Sequence, residues 1–140
     1  MKREIKFRAW DNITKSMYGV RDIDYLSNNE LNSIRLIVAV QTSDNDIDFD
    51  FPIRRNGEYE LMQYTGMKDK NGQEIYEGDI VKMYDPYTKT IMTTEVIWDD
   101  PNCRFAMKYT FVDFDFLISD EIEVIGNVHE NTELLKQEAE

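Results

Sequence analysis

Apolar and polar residues alternate with a period of two along much of this chain, the mark of strands with one covered face. In Glu4–Trp10, the side chains of Ile5, Phe7 and Ala9 point one way and those of Lys6, Arg8 and Trp10 the other. Asp11-Asn12 and Lys15-Ser16 suit a turn, and Met17-Tyr18 begins a return strand. Val20–Leu26 reads as strand, and Ser27-Asn28-Asn29 as a turn that can cap a short helix at Glu30-Leu31. Ile34–Val40 is β-branched and apolar on both faces, as a central or interface strand is. After the polar turn Thr42–Asp46, Ile47, Phe49 and Phe51 alternate with Asp48 and Asp50, which predicts a half-buried strand. Pro52 near its end suits a sheet edge. Asn56-Gly57 predicts a hairpin before Glu58–Tyr64.

The stretch Leu61–Lys82, LMQYTGMKDKNGQEIYEGDIVK, is the most heavily punctuated part of the chain. Gly66 takes positive φ at no steric cost, so a reversal is expected after Tyr64-Thr65. Asn71-Gly72 is the strongest short hairpin signal, since both residues tolerate positive φ. Glu77-Gly78-Asp79 predicts another turn, with the aspartate accepting backbone N–H groups, before a β-branched strand through Tyr84. Beyond a loop at Asp85–Lys89, Thr90–Trp98 reads as strand and Asp99–Asn102 as turn. Cys103, Phe105, Met107 and Tyr109 then share one strand face, and Val112, Phe114, Phe116 and Ile118 another, opposite Asp113 and Asp115. Glu121–Val128 is expected as the last strand, with Gly126-Asn127 as a bulge or turn. Asn131 or Thr132 can cap a short helix over Glu133–Ala139, docked by Leu134 and Leu135.

Composition narrows the class. With 140 residues and 41% hydrophobic content, the chain suits a single domain, or two tightly joined small lobes, with a real core. One cysteine excludes an internal disulfide and fits a reducing cytoplasm. No apolar run follows the first residues, so no signal peptide is read, and no stretch approaches the roughly 20 apolar residues that span a bilayer. Sixteen basic against 28 acidic residues give a net charge of −12. Such a surface repels phosphate backbones and anionic membranes, which makes generic nucleic-acid or membrane binding unfavourable.

Three segments together resemble one family. Gln63–Val81, QYTGMKDKNGQEIYEGDIV, is similar to the signature of the YopX family of phage and prophage proteins. Arg3–Asp11 resembles that family's opening strand, and Val124–Asn131 its closing segment. His129 stands where an aromatic is expected and Thr132 where a proline is. The regions from about 20 to 60 and from 84 to 119 are less recognisable. The resemblance implies a β-rich fold with an SH3-like small barrel, carriage by phages and integrated elements, and no established activity. No catalytic residue comes with it.

A search for chemistry nominates little. The chain has one histidine, His129, and shows no Walker loop, dinucleotide fingerprint, HExxH or CxxC. Cys103 with His129 is a conceivable thiolate pair, but alternation with core residues reads Cys103 as a packed thiol. Asp44, Asp46, Asp48 and Asp50 fail as a calcium loop, because the sixth position is Phe49 and the twelfth Arg55. Asp69, Glu74, Glu77 and Asp79 read as turn residues before they read as a metal or acid–base cluster. Lys6 and Arg8 lie in the one basic part of the chain, and Trp10 beside them offers a ring for a base, although packing on a neighbouring strand is favoured.

These readings predict an α+β, mostly β chain: an N-terminal β region at about 1–60, an SH3-like small barrel at about 61–128 and a C-terminal helix at 129–140, with Gly66, Gly72 and Gly78 as turn glycines. The expected role is that of a non-enzymatic accessory protein, without cofactor or metal, acting in the host cytoplasm by protein–protein contact or as a homo-oligomer. Apolar faces at Ile34–Val40 and Phe111–Ile118 motivate this. The rival readings are an acidic decoy of a DNA-handling protein, nucleic-acid binding through the barrel with Lys6, Arg8 and Trp10, and an unrecognised hydrolase holding acids of raised pKa.

Overall fold

The computed structural model describes residues 4–85, 89–108 and 122–136. They form eleven strands and one short helix, a mostly β chain. None of the described helices is long and apolar enough to cross a membrane. The chain gathers into two compact units, Lys6–Gln63 and Met1–Ile5 with Tyr64–Glu140.

In the first unit, β1 (Phe7–Asp11) pairs antiparallel with β2 (Ser16–Tyr25). β2 pairs with β3 (Leu31–Gln41). β3 is long enough to take two partners on its far side: β5 (Ile53–Arg55) along its first half and β4 (Ile47–Asp50) along its second. On its other side, β1 pairs with the first half of β6 (Tyr59–Lys68). β1 is therefore an inner strand, and Ala9, Trp10 and Asp11 are all buried, where alternation predicted only one covered face. The turn at Ser27–Asn29 caps no helix. Asn29 takes φ 66°, Leu26 N–H donates to the Glu30 carbonyl at 2.7 Å, and β3 begins at once. Asparagine in the left-handed region serves a hairpin as well as a cap. Asn56-Gly57 does turn the chain, with φ 90° at Gly57, but its flanking strands pair with β3 and β1 instead of each other.

The core of this unit is Ala9, Ile34, Leu36 and Tyr59. Arg54 on β5 shares that inner side, opposite Ile34, and its guanidinium grips Asp11 of β1 at 2.8 and 3.1 Å. β5 and β1 lie three ladders apart, about 14 Å in a flat sheet. The sheet therefore curls, and a side-chain ion pair bridges a gap that no ladder closes.

In the second unit, the rest of β6 pairs with β7 (Glu74–Tyr76). β8 (Asp79–Asp85), β9 (Thr90–Asp99), β10 (Arg104–Met107) and β11 (Ile122–Asn127) form a four-stranded sheet in the order β10-β9-β8-β11. Its core is Ile75, Val81, Met83, Val96, Ala106, Met107 and Ile122. Helix α1 (Glu133–Lys136) packs against β9. The SH3-like barrel expected over 61–128 is not found closed. β7 pairs with β6, and β10 and β11 end the order without pairing to each other among the described residues. The strand expected at Val112–Ile118 lies outside the described residues, as do the rest of the 85–89 loop and the end of the predicted helix.

Gly66 also departs from expectation. The chain does not reverse there: β6 runs through it to Lys68, and the register against β7 slips between Tyr64 and Lys68. Positive φ, here 89°, serves a bulge as readily as a turn. The reversal comes at Asp69–Gln73, with Gly72 at φ 81°.

Candidate functional site

The buried carboxylates are structural anchors. Asp11 accepts from Arg54, from the Thr14 hydroxyl at 2.6 Å and from the Ile13 and Thr14 N–H groups. Burial pushes its pKa up, but these donors outweigh it and hold the group at about 2, against an ordinary 3.8. Asp69 sits at the β6–β7 tip, where one oxygen takes the Asn71 and Gln73 N–H groups and the other the Val124 N–H of β11, each at 2.9 Å. Burial again raises its pKa, and the three N–H donors bring it below the usual carboxylate range. Asp79 accepts from the Tyr76 N–H at 2.8 Å, across the turn where Gly78 takes φ 81°. The closing segment is tied in the same way. Asn127 accepts from the His129 and Glu130 N–H groups, and the Asn131 side chain packs so close to Gly126 that a Cβ there would lie 2.6 Å from it.

The residues singled out for chemistry are not brought together. Cys103 is exposed at φ 49°, just past a short 3-10 turn, and is not the packed thiol that alternation suggested. A left-handed residue there ends one element before β10 begins, which takes it out of the strand's alternation. His129 lies in the turn after β11. No group of three potential metal ligands occurs among the described residues. Trp10 is 8% exposed, its backbone in register with Met17 and Glu60 on either side. Arg8, half-buried, lies two residues along the same strand, and Lys6, also half-buried, precedes it.

What the structure does gather lies on the outer face of β3. Ile34 and Leu36 point into the core, so Ile37, Ala39 and Gln41 point out. Across the ladder, Phe49 faces Ala39 and Ile47 faces Gln41. Ile47 is 69% exposed, Phe49 50%, and Ile37 and Phe51 38% each. β4 was expected to be half-buried, but all four of its residues are exposed because no element of this unit covers its apolar side. Gly19 of β2 faces Ile37 and supplies no side chain to shield it. Further along the same face, the β2–β3–β5 ladder holds a cleft of about 500 Å³ lined by Asp22, Asp24, Ser33, Arg35, Ile53 and Arg55. The sequence flagged the apolar run on β3. It did not flag the partner residues on β4, whose alternation reads like that of any covered strand.

The YopX protein family matches over residues 6–136. The chain belongs to the YopX family. A crystal structure of protein EF1440 from Enterococcus faecalis is similar, with 31% identity over 96% of this chain and 99% of that one and a TM-score of 0.70. The crystal structure of protein yopX from Bacillus subtilis shares 21% identity over 92% and 96% of the two chains, with a TM-score of 0.51, and speaks for the fold alone. No curated protein matches. The residues that carry the YopX resemblance, among them Gly72, Asp69, Gly78, Asp79 and Gly126-Asn127, are the ones that fix turns and stitch strands.

Proposed function

We propose that this chain is a non-enzymatic accessory protein of a phage or prophage, acting in the bacterial cytoplasm by contact with another protein. The observation that carries the reading is the set of apolar side chains Ile37, Ile47, Phe49 and Phe51 turned to solvent on one face of β3–β4. Contiguous apolar surface on a folded domain marks an interaction site more often than it marks waste. The hydrolase reading asks for carboxylates of raised pKa, whereas Asp11, Asp69 and Asp99 all move down. The decoy reading draws on the net charge of −12 and stays as the second reading.

The test is paired capture from host lysate by the wild-type chain and by an Ile47→Ser/Phe49→Ser variant, read by quantitative mass spectrometry with circular dichroism as the folding control. A protein retained by the wild type and lost by the folded variant is the expected outcome. Identical sets on both would remove this face from the account.

A further inference from the structure

The cleft on the outer side of the β2–β3–β5 ladder is built from two rows of side chains. Ile34 points into the core, so its neighbours Ser33 and Arg35 point out. Asp24 of β2 and Arg55 of β5 flank Ser33 in one row, and Asp22 and Ile53 flank Arg35 in the next. Together they enclose about 500 Å³. The carboxylates stand on the β2 wall and the Arg55 guanidinium on the β5 wall. Two ladder spacings, about 10 Å, separate the strands that carry them.

Ser33 forms the floor. It is only 9% exposed, yet none of the described residues hydrogen-bonds its hydroxyl. A hydroxyl at that depth ordinarily has a partner. The Leu36 N–H donates to the Pro52 carbonyl, which sets the phase of the ladder and makes Ser33 and Arg55 a non-hydrogen-bonded pair, the kind whose side chains stand closer. Arg55 is fixed at its backbone, where its N–H donates to Glu58 Oε1 at 2.9 Å, but no described residue takes its guanidinium. On the opposite wall, Asn32 donates to one oxygen of Asp24 at 3.1 Å and leaves the other open. Arg35 and Asp22 meet only at 3.9 Å with both side chains half exposed, a pair that water screens and a ligand can open.

Charge decides what fits. Two guanidinium groups and two carboxylates make the cleft neutral on balance, in a chain of net charge −12. A bare anion meets the aspartates, and a bare cation meets the arginines. A molecule that carries both charges, set apart, avoids both penalties. Ile53, half exposed next to Arg55, gives a hydrocarbon chain a surface to lie on.

We infer that the cleft binds a small zwitterion of the ω-amino-acid type, with a carboxylate and an ammonium group at the two ends of a short aliphatic chain. The carboxylate takes the fork of Arg55 and the Ser33 hydroxyl. The ammonium group takes the open oxygen of Asp24, and the chain lies against Ile53. This site goes beyond the protein contact proposed above and does not depend on it.

The test is calorimetric titration of the full chain with ε-aminocaproate, with caproate, hexylamine and inorganic phosphate as comparisons. Saturable binding of ε-aminocaproate is expected, with caproate and hexylamine each weaker by about tenfold or more, the worth of one charge-assisted hydrogen bond. Arg55→Ala and Asp24→Asn should each lower the affinity for ε-aminocaproate by a similar factor, and Ser33→Ala by less, with circular dichroism as the folding control. Arg55→Ala should leave hexylamine binding no weaker, because that group answers only the carboxylate. No saturation with ε-aminocaproate would overturn the proposal. So would caproate or hexylamine binding as tightly as the zwitterion, or wild-type affinity in folded Arg55→Ala. Tighter binding of phosphate would overturn it as well, since the cleft would then be a plain anion site.

Discussion

The β6–β7 hairpin and the β3–β4 hairpin read alike in sequence and are used in opposite ways. Each has a polar tip with aspartate and asparagine between β-prone runs: Lys68–Gly72 in one, Thr42–Asp46 in the other. At the first tip, Asp69 is buried and its oxygens hold three backbone N–H groups, one of them on β11. The Lys70 N–H also donates to the Ile122 carbonyl. At the second, the turn closes on itself through the Thr42 N–H and the Asp46 carbonyl, and Asp44 and Asp46 stay exposed. One hairpin is spent on holding its unit together. The other leaves its apolar side chains exposed. The family signature falls on the first, and the exposed apolar surface falls on the second.

Substitutions can break that contrast, and the largest effects belong to the stitched carboxylates. Asp11→Ala leaves the largely buried Arg54 guanidinium without its carboxylate, and breaking a buried pair in this way costs about 3–5 kcal/mol. Urea unfolding measures it, and a loss under about 1 kcal/mol would mean that the pair behaves as an exposed one. Asp69→Ala strands three backbone donors at the β6–β7 tip, for a loss of about 2–3 kcal/mol. Asp44→Ala at the other tip should change stability by less than about 0.5 kcal/mol. Equal losses at the two tips would erase the difference between the hairpins.

Acid should separate the same groups. Asp11 has its folded pKa lowered from 3.8 to about 2. Its contribution is therefore complete above pH 4 and is lost as pH falls through the folded value. The shift is worth about 2 kcal/mol. Asp69 is lowered as well and adds a loss of the same sign. Thermal melts between pH 5 and pH 2 should show stability falling with acid, less steeply in Asp11→Asn than in wild type. Parallel slopes would contradict the assignment. A smaller and more local effect is expected at Gly126, where a methyl group meets the Asn131 side chain. Gly126→Ala should cost about 1–2 kcal/mol through that overpacking, with calorimetric melting as the check.

Much of this architecture was legible in the residues because it is local. Asn71-Gly72, Gly78-Asp79 and the β-branched runs of β3 and β8 each announce their conformation within a few positions. What stayed hidden depends on distant partners or on a degeneracy of conformation. Nothing near Asp11 points to Arg54, 43 residues away. Positive φ at Gly66 fits a reversal and a bulge equally, and only the register against β7 separates them. Alternation gives β1 one covered face, and only the pairing with β6 shows an inner strand in which Ala9, Trp10 and Asp11 are all buried. The candidate site was half visible. Ile34–Val40 showed apolar residues on both faces, but the alternation of Ile47, Phe49 and Phe51 reports a strand and not whether anything lies over it.

Ile47 and Phe49, both exposed on β4, belong to the surface and not to the core. Equilibrium urea unfolding of Ile47→Ser/Phe49→Ser beside wild type tests it most directly. A change within about 0.5 kcal/mol per site is expected, as for exposed positions, with an unchanged slope. A loss of about 3 kcal/mol or more, the scale of a vacated core, would show that these side chains are buried in the folded protein and would contradict the claim.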